Sequence, residues 1–268
     1  MANFPDPGLL AYNGTWYAFG TNPNDDDTEF HVLVVMRIDA SGDREGGFFG
    51  EWKHTGSDAL PEVAMWETRR DYWAPDVITR ADGQQLLYYS GEIDTWKRGG
   101  IDPSAIIDTD GTIYIVYKGD GNCSNAIPPL RSTRLLLQKM KSDGIKPDDE
   151  PVQILNRLKK EDGSLVEAPN LVRSAQGVYF FFIRVIVLIR GIYDVKYATA
   201  RETAGPYMRA KKPLLKLGDF GLVSPGGATV SKDGRKLVFH ADCPEGRWMW
   251  VGAIELEGAE VRIVPPPT

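Results

Sequence analysis

Four acidic side chains stand in proline-bearing motifs along this chain, and acids of this kind move protons once a fold brings them together. They are Asp6 in Phe4-Pro5-Asp6-Pro7, Asp76 in Trp73-Ala74-Pro75-Asp76, Asp102 in Ile101-Asp102-Pro103-Ser104 and Glu167 in Val166-Glu167-Ala168-Pro169. A fifth motif, Val223-Ser224-Pro225, carries a serine instead. Turn chemistry explains Asp beside Pro, because the Asp side chain bonds its own backbone in turns, but Glu has no such local preference. Converged carboxylates repel, and the repulsion raises at least one pKa, a cost that marks functional sites. Two carboxyl groups of unequal pKa are the minimum for cleaving a sugar bond. One stays ionised as base or nucleophile, and the other donates its proton to the leaving oxygen. A third acid nearby holds the donor's pKa up by like-charge repulsion. The competing reading is a set of turn-forming acids in separate loops.

Convergence requires elements that bring the motifs to one place. Each motif precedes a glycine that opens an apolar, aromatic-rich run, at Gly14, Gly83, Gly111, Gly177 and Gly234. The runs, such as Thr15-Trp16-Tyr17-Ala18-Phe19 and Tyr179-Phe180-Phe181-Phe182, are continuous or alternating in apolar character and bounded by Gly and Pro. That pattern is strand rather than helix. The five glycines lie about 55 residues apart on average, against roughly 40 to 50 for a propeller blade of four short strands. The chain is therefore expected to be all-β, a five-bladed β-propeller forming a single domain over residues 1–268. In such a fold the innermost strands line the axis, so residues at one end of them meet however distant they are in sequence. Gly83 and Gly111 are only 28 residues apart, so the second blade should be shortened.

Composition narrows the partners. A net charge of -6 argues against nucleic acid as the main ligand. The longest apolar stretch, Val185 to Ile189, is far too short to span a bilayer, so no membrane partner is expected. The run Asp25-Asp26-Asp27 reads as a solvated loop or, less simply, a cation site. Cys123 and Cys243 each follow the second strand of a unit and could share a rim, but spacing alone does not make a bridge, so free thiols are expected. The first motif begins by Phe4, which leaves no room for a secretion signal ahead of it. A cytoplasmic protein and a chain starting at a mature N-terminus are both compatible with that.

Taken in order, the motifs resemble glycoside hydrolase family 43. They are Phe4-Pro-Asp-Pro7, Thr15-Trp-Tyr-Ala-Phe19, Tyr72-Trp-Ala-Pro-Asp76, Tyr193-Asp-Val-Lys-Tyr-Ala-Thr199 and Gly205-Pro-Tyr207. The likeness is strongest to arabinan-active members. It implies a secreted, inverting hydrolase of arabinose- or xylose-containing plant cell-wall polysaccharides, with no required cofactor. By motif, Asp6 corresponds to the general base, Asp102 to the aspartate that raises the acid's pKa and orients it, and Glu167 to the general acid. Inversion implies that Asp6 and Glu167 stand roughly 6.5 to 9.5 Å apart. His240 corresponds to an axial histidine that in some members helps to hold a central calcium, a core histidine being the alternative. Trp73 corresponds to an aromatic near the sugar, with core packing as the plainer reading. Asp76 is a candidate for bonding substrate or supporting the site. The implied activity is α-L-arabinofuranosidase, with β-xylosidase, endo-arabinanase and a propeller that binds carbohydrate without turnover as the alternatives.

The chain departs from the family pattern twice. Between Ser90 and Ile101 only Gly91 to Gly100 intervene, too few residues for two outer strands. The run Ile183-Arg-Val-Ile-Val-Leu-Ile-Arg190 stands where a polar loop is expected. It is expected to rim the axial pocket or pack beside it, where it could narrow the substrate cleft, bind an apolar ligand or support self-association. A chain that keeps its motifs while losing half a blade reads as an engineered or recombined member, a divergent natural one being the alternative.

Overall fold

The structure, a computed structural model, describes residues 3–22, 31–37, 47–62, 65, 72–90, 100–119, 132–187 and 192–266. Among these the chain is built from strands and two short 3-10 turns, Gly47–Phe49 and Asp219–Gly221. The first sheet holds β1 (Gly8–Tyr12), β2 (Thr15–Thr21), β3 (Val32–Arg37) and β4 (Lys53–Asp58). A two-stranded sheet follows, β5 (Trp73–Thr79) and β6 (Gln85–Ser90). The third sheet holds β7 (Gly100–Ile107), β8 (Ile113–Gly119), β9 (Arg134–Lys139) and β10 (Val152–Asn156). The fourth holds β11 (Val166–Arg173), β12 (Tyr179–Val187), β13 (Ile192–Ala200) and β14 (Met208–Arg209). The last holds β15 (Gly226–Val230), β16 (Lys236–Cys243), β17 (Gly246–Glu257) and β18 (Glu260–Val264). Every sheet is antiparallel and ordered as in the sequence, the arrangement of a β-propeller. Four complete blades are present among the described residues, and the unit between the first and third sheets is a single hairpin.

The glycines close the first hairpin of each unit. Asn13 and Gly14 both take positive φ, 50° and 76°, as a two-residue type I′ turn demands. The other four units share one longer turn, in which the N–H of Gly83, Gly111, Gly177 or Gly234 bonds the carbonyl three residues earlier. The apolar runs then pack between sheets. Phe180 and Phe182 face the last sheet beside Leu237 and Phe239, while Phe181, Ile183 and Val185 face the third beside Val116 and Leu137. The period-2 alternation of a strand produces this division. Val238 and Met249 of the last sheet pack on Phe4, Ala18 and Val35, which closes the ring, and the Phe4 N–H bonds the Arg247 carbonyl at 2.6 Å.

Two expectations change here. The segment from Ile183 is not a loop at the rim, because β12 runs on through Val187 in register with β11 and β13. Ile183 and Val185 are buried between blades, so neither is available for an apolar ligand or for self-association. Residues 188–190 lie outside the described residues, as do Asp25 to Asp27, Cys123 and residues 91–99. Cys243 is a half-buried free thiol. In the hairpin unit, the Tyr88 hydroxyl donates to the Gly144 carbonyl at 2.7 Å and Arg80 donates to that of Asp143 at 3.1 Å, so a turn of the third blade braces β5 and β6.

Candidate active site

Three of the proline motifs are β-bulges, and the last blade has a fourth bulge just beyond its proline. Register between the first and second strands shifts at Trp73/Asp76, Ile101/Ser104, Glu167/Asn170 and Gly226/Thr229. Inside each shift one residue takes a left-handed conformation: Ala74 at 46°, Asp102 at 55°, Ala168 at 46° and Gly227 at 58°. Asp6, just ahead of β1, matches them at 50°. Residues other than glycine rarely adopt this conformation, and strain of roughly 1–3 kcal/mol at each collects where side chains must be aimed. Bulges serve that purpose near active sites. In the last blade the equivalent position is Gly227, three residues beyond the Ser224 singled out by its proline. Ser224 instead accepts the Tyr193 N–H at 3.0 Å.

The four bulges and the Asp6 turn meet at one axial cavity of about 30 Å³, lined by Asp6, Asp76, Asp102, Ala168 and Gly227 among others. The Asp6 carboxylate accepts from Arg184 Nη1 at 2.8 Å and from Thr21 Oγ1 at 3.3 Å. Glu167 Oε1 accepts from Arg184 Nε at 3.0 Å and Nη2 at 2.9 Å, while Lys118 Nζ stands 3.4 Å from Oε2. One guanidinium thus bridges Asp6 and Glu167, which limits the separation of the bridged oxygens to about 8 Å. Asp102 Oδ2 accepts the Ala168 N–H at 2.8 Å, next to Glu167 in the chain.

The charges sort the acids. Burial pushes Asp6 up, but the positive groups around it, Arg184 first, outweigh burial and hold the carboxyl below its usual range. Burial, followed by the charge of Glu167, pushes Asp102 up to about 6. Burial also disfavours the Arg184 charge, yet Glu167 and Asp6 outweigh it and keep the guanidinium firmly protonated. The site therefore holds an ionised carboxylate, a proton-retaining carboxyl and a fixed cation.

His240 is completely buried on β16, and its Nδ1 accepts the Asp6 N–H at 3.0 Å. Burial pushes its pKa down to about 3, so the ring is neutral and its proton sits on Nε2. Arg184 Nη1 lies 3.4 Å from that nitrogen. Calcium needs six to eight oxygen ligands, and here the histidine faces a guanidinium and a carboxylate already paired with it. The residues around His240 do not fit a calcium ion. Among the described residues no group of three or more His, Cys, Asp or Glu side chains is placed to hold a metal.

Asp76 lines the cavity, but both its oxygens are committed, Oδ1 to the Val77 N–H at 2.9 Å and Oδ2 to the Ala105 N–H at 2.8 Å. It pins β5 to β7, and burial pushes its pKa up. Trp73 is half-buried at the head of β5 and is not among the residues lining the cavity. Sequence reasoning missed Arg184 and Lys118. A signal existed for each: a lone charge inside an otherwise apolar strand, Ile183-Arg184-Val185 and Val116-Tyr117-Lys118.

A family model for glycosyl hydrolases family 43 matches residues 90–250, more than half of the chain. That span includes Asp102, Glu167, Arg184 and His240, while Asp6 joins them through the fold. No curated protein sequence matches. Among solved structures, a thermostable family-43 glycoside hydrolase aligns at 22% identity with a TM-score of 0.75, covering 99% of this chain and 94% of its own. An endo-1,4-β-xylanase from Bacteroides thetaiotaomicron aligns at 23% identity and TM-score 0.74, covering 98% and 95%. A Cellvibrio cellulosa α-L-arabinanase, complexed with arabinohexaose, aligns at 20% and 0.71, covering 98% and 95%. At these identities the structures speak for the propeller fold, and the family match carries the assignment: the chain belongs to glycosyl hydrolases family 43 and is a glycoside hydrolase.

Proposed function

We propose that this enzyme is an inverting α-L-arabinofuranosidase releasing L-arabinose from arabinan or arabinoxylan-type plant polysaccharides. On this reading the β5–β6 hairpin is a shortened second blade of a five-bladed propeller. The observation that carries the proposal is the facing of Asp6 and Glu167 across one guanidinium, with Asp102 behind Glu167. Asp6, kept ionised, takes a proton from the attacking water. Glu167 delivers a proton to the leaving oxygen, and Asp102, pushed up to about 6 by burial and by the charge of Glu167, stands behind it to orient the acid. Oε1 of Glu167 is held by two Arg184 donors at 2.9 and 3.0 Å, while Oε2 has only the longer contact with Lys118 Nζ at 3.4 Å and is the more loosely held oxygen. The roughly 8 Å limit set by the bridge is compatible with the wider spacing of inverting enzymes.

A second reading, carbohydrate binding without turnover, draws on the size of the axial cavity. About 30 Å³ holds a water rather than a pentose. The test is release of free sugar from short arabinan and xylan oligosaccharides, with the anomer followed by NMR at early times. Inverted L-arabinose supports the proposal. Inverted D-xylose moves the assignment to β-xylosidase, a retained anomer overturns the inverting mechanism, and binding without product favours the second reading.

A further inference from the structure

Arg184 is the residue at this site that neither the motifs nor the acid–base scheme requires. It extends from β12, opposite Glu167 in the strand register, and passes so close to the last blade that a Cβ on Gly226 would come within 2.6 Å of its Cδ. The guanidinium bonds Glu167 through Nε and Nη2 and Asp6 through Nη1. Its Cζ lies 4.5 Å from the centre of the Tyr193 ring, so an aromatic face backs the charge. Each polar edge is thereby spoken for, and 178 residues of chain separate it from Asp6.

We infer that Arg184 is a positioning residue, a built-in cation at the propeller axis that sets the Asp6–Glu167 spacing and takes the place a divalent metal would need. The inference rests on the acid–base reading of Asp6 and Glu167. Three geometric facts support it. A planar guanidinium with several donors locks two carboxylates at once, which a point charge on a flexible stem does less well. Buried Asp6 needs a counter-charge, and Arg184 provides the nearest one. The space beside His240 Nε2 is filled by Nη1 at 3.4 Å, so a metal there would meet both the ring proton and a fixed positive charge.

The experiment compares the parent with Arg184→Met, Arg184→Lys and Arg184→Ala in kcat, KM and Tm, each with EDTA, with added calcium and with guanidinium ion. The parent is expected to keep its activity and Tm in EDTA and in millimolar calcium. Arg184→Met should lose at least about 100-fold in kcat with KM changed by only a few-fold, and Arg184→Lys should retain more activity than Arg184→Met. Guanidinium ion should restore part of the Arg184→Ala activity, whereas urea should not. A merely structural role would change Tm without that rescue. Loss of parent activity or Tm in EDTA, stoichiometric calcium in the purified protein, or an Arg184→Met variant within three-fold of the parent would overturn the inference. If the Met and Ala variants do not fold, the chelator arm and the Lys variant still decide it. Full activity in Asp6→Asn and Glu167→Gln would instead bring down the acid–base reading and leave the chelator arm to judge the metal question alone.

Discussion

Arg184 lies opposite Glu167 in the β11–β12 ladder, and its guanidinium reaches past that partner to Asp6 on another blade. Two acids far apart in sequence are thus fixed by one side chain. The strained bulge residues aim the carboxylates, and the arginine sets the distance between them.

Removing either end of the acid–base pair should show in turnover. Asp6→Asn and Glu167→Gln should each lower kcat on natural oligosaccharides by more than about 100-fold, measured by sugar release. Aryl substrates with good leaving groups should mask part of the Glu167 loss, so the ratio between the two substrate types reports the acid role.

The proton held by Asp102 should set an alkaline limb. Asp102 is pushed up to about 6, so kcat/KM should fall as pH rises through that region. Stability follows the same sign. A carboxyl with a raised folded pKa binds protons more tightly in the folded state, so its contribution is full below about pH 4 and is lost by pH 6 to 7. Asp102→Asn removes that dependence. The Tm of the variant relative to the parent should therefore climb between pH 4 and pH 7, by an amount corresponding to on the order of 3 kcal/mol. A flat difference across that range would remove Asp102 from this role.

Gly227 should tolerate no side chain. A Cβ there would stand 2.7 Å from His240 Nδ1 and 3.0 Å from Asp6 Oδ1, at a φ of 58° that side chains rarely adopt. Gly227→Ala is expected to lower Tm and to cut kcat at least ten-fold, as roughly 1–2 kcal/mol of strain falls directly on the Asp6–His240 bond. Circular dichroism melting and steady-state kinetics check both.

Asp76 should behave differently from the other acids. Asp76→Ala strands the Val77 and Ala105 N–H groups in the interior, at about 1–3 kcal/mol each. Stability should therefore drop sharply in denaturant titration while kcat of the folded fraction stays within several-fold. A selective loss of substrate affinity with unchanged stability would return Asp76 to the sugar-binding set.

Much of this was legible locally. A glycine turn, an aromatic strand and the bend at a proline are short-range events, and their recurrence pointed to a propeller and to four acids beside prolines, among which the family resemblance singled out Asp6, Asp102 and Glu167. The short interval between Gly83 and Gly111 likewise pointed to a unit with fewer strands, and the described residues there form a single hairpin. The apolar run from Ile183 was placed beside the axial pocket, where Arg184 does reach, but its being a continuation of β12 was hidden because an extended strand and an apolar rim segment share one composition. Only pairing with β11 and β13 distinguishes them. Ser224 was grouped with the other motifs for its proline, although the bulge equivalent in the last blade is Gly227.

The amino-acid sequence by itself determined the strands, the turns and which acids stand at strand starts, because those depend on residues close in the chain. The tertiary structure alone decided that Arg184 occupies the axis. That outcome depends on which face of β12 meets the last blade and on the ring closing Phe4 against Arg247. Contacts across 178 residues follow from closure of the ring, and no local pattern encodes them.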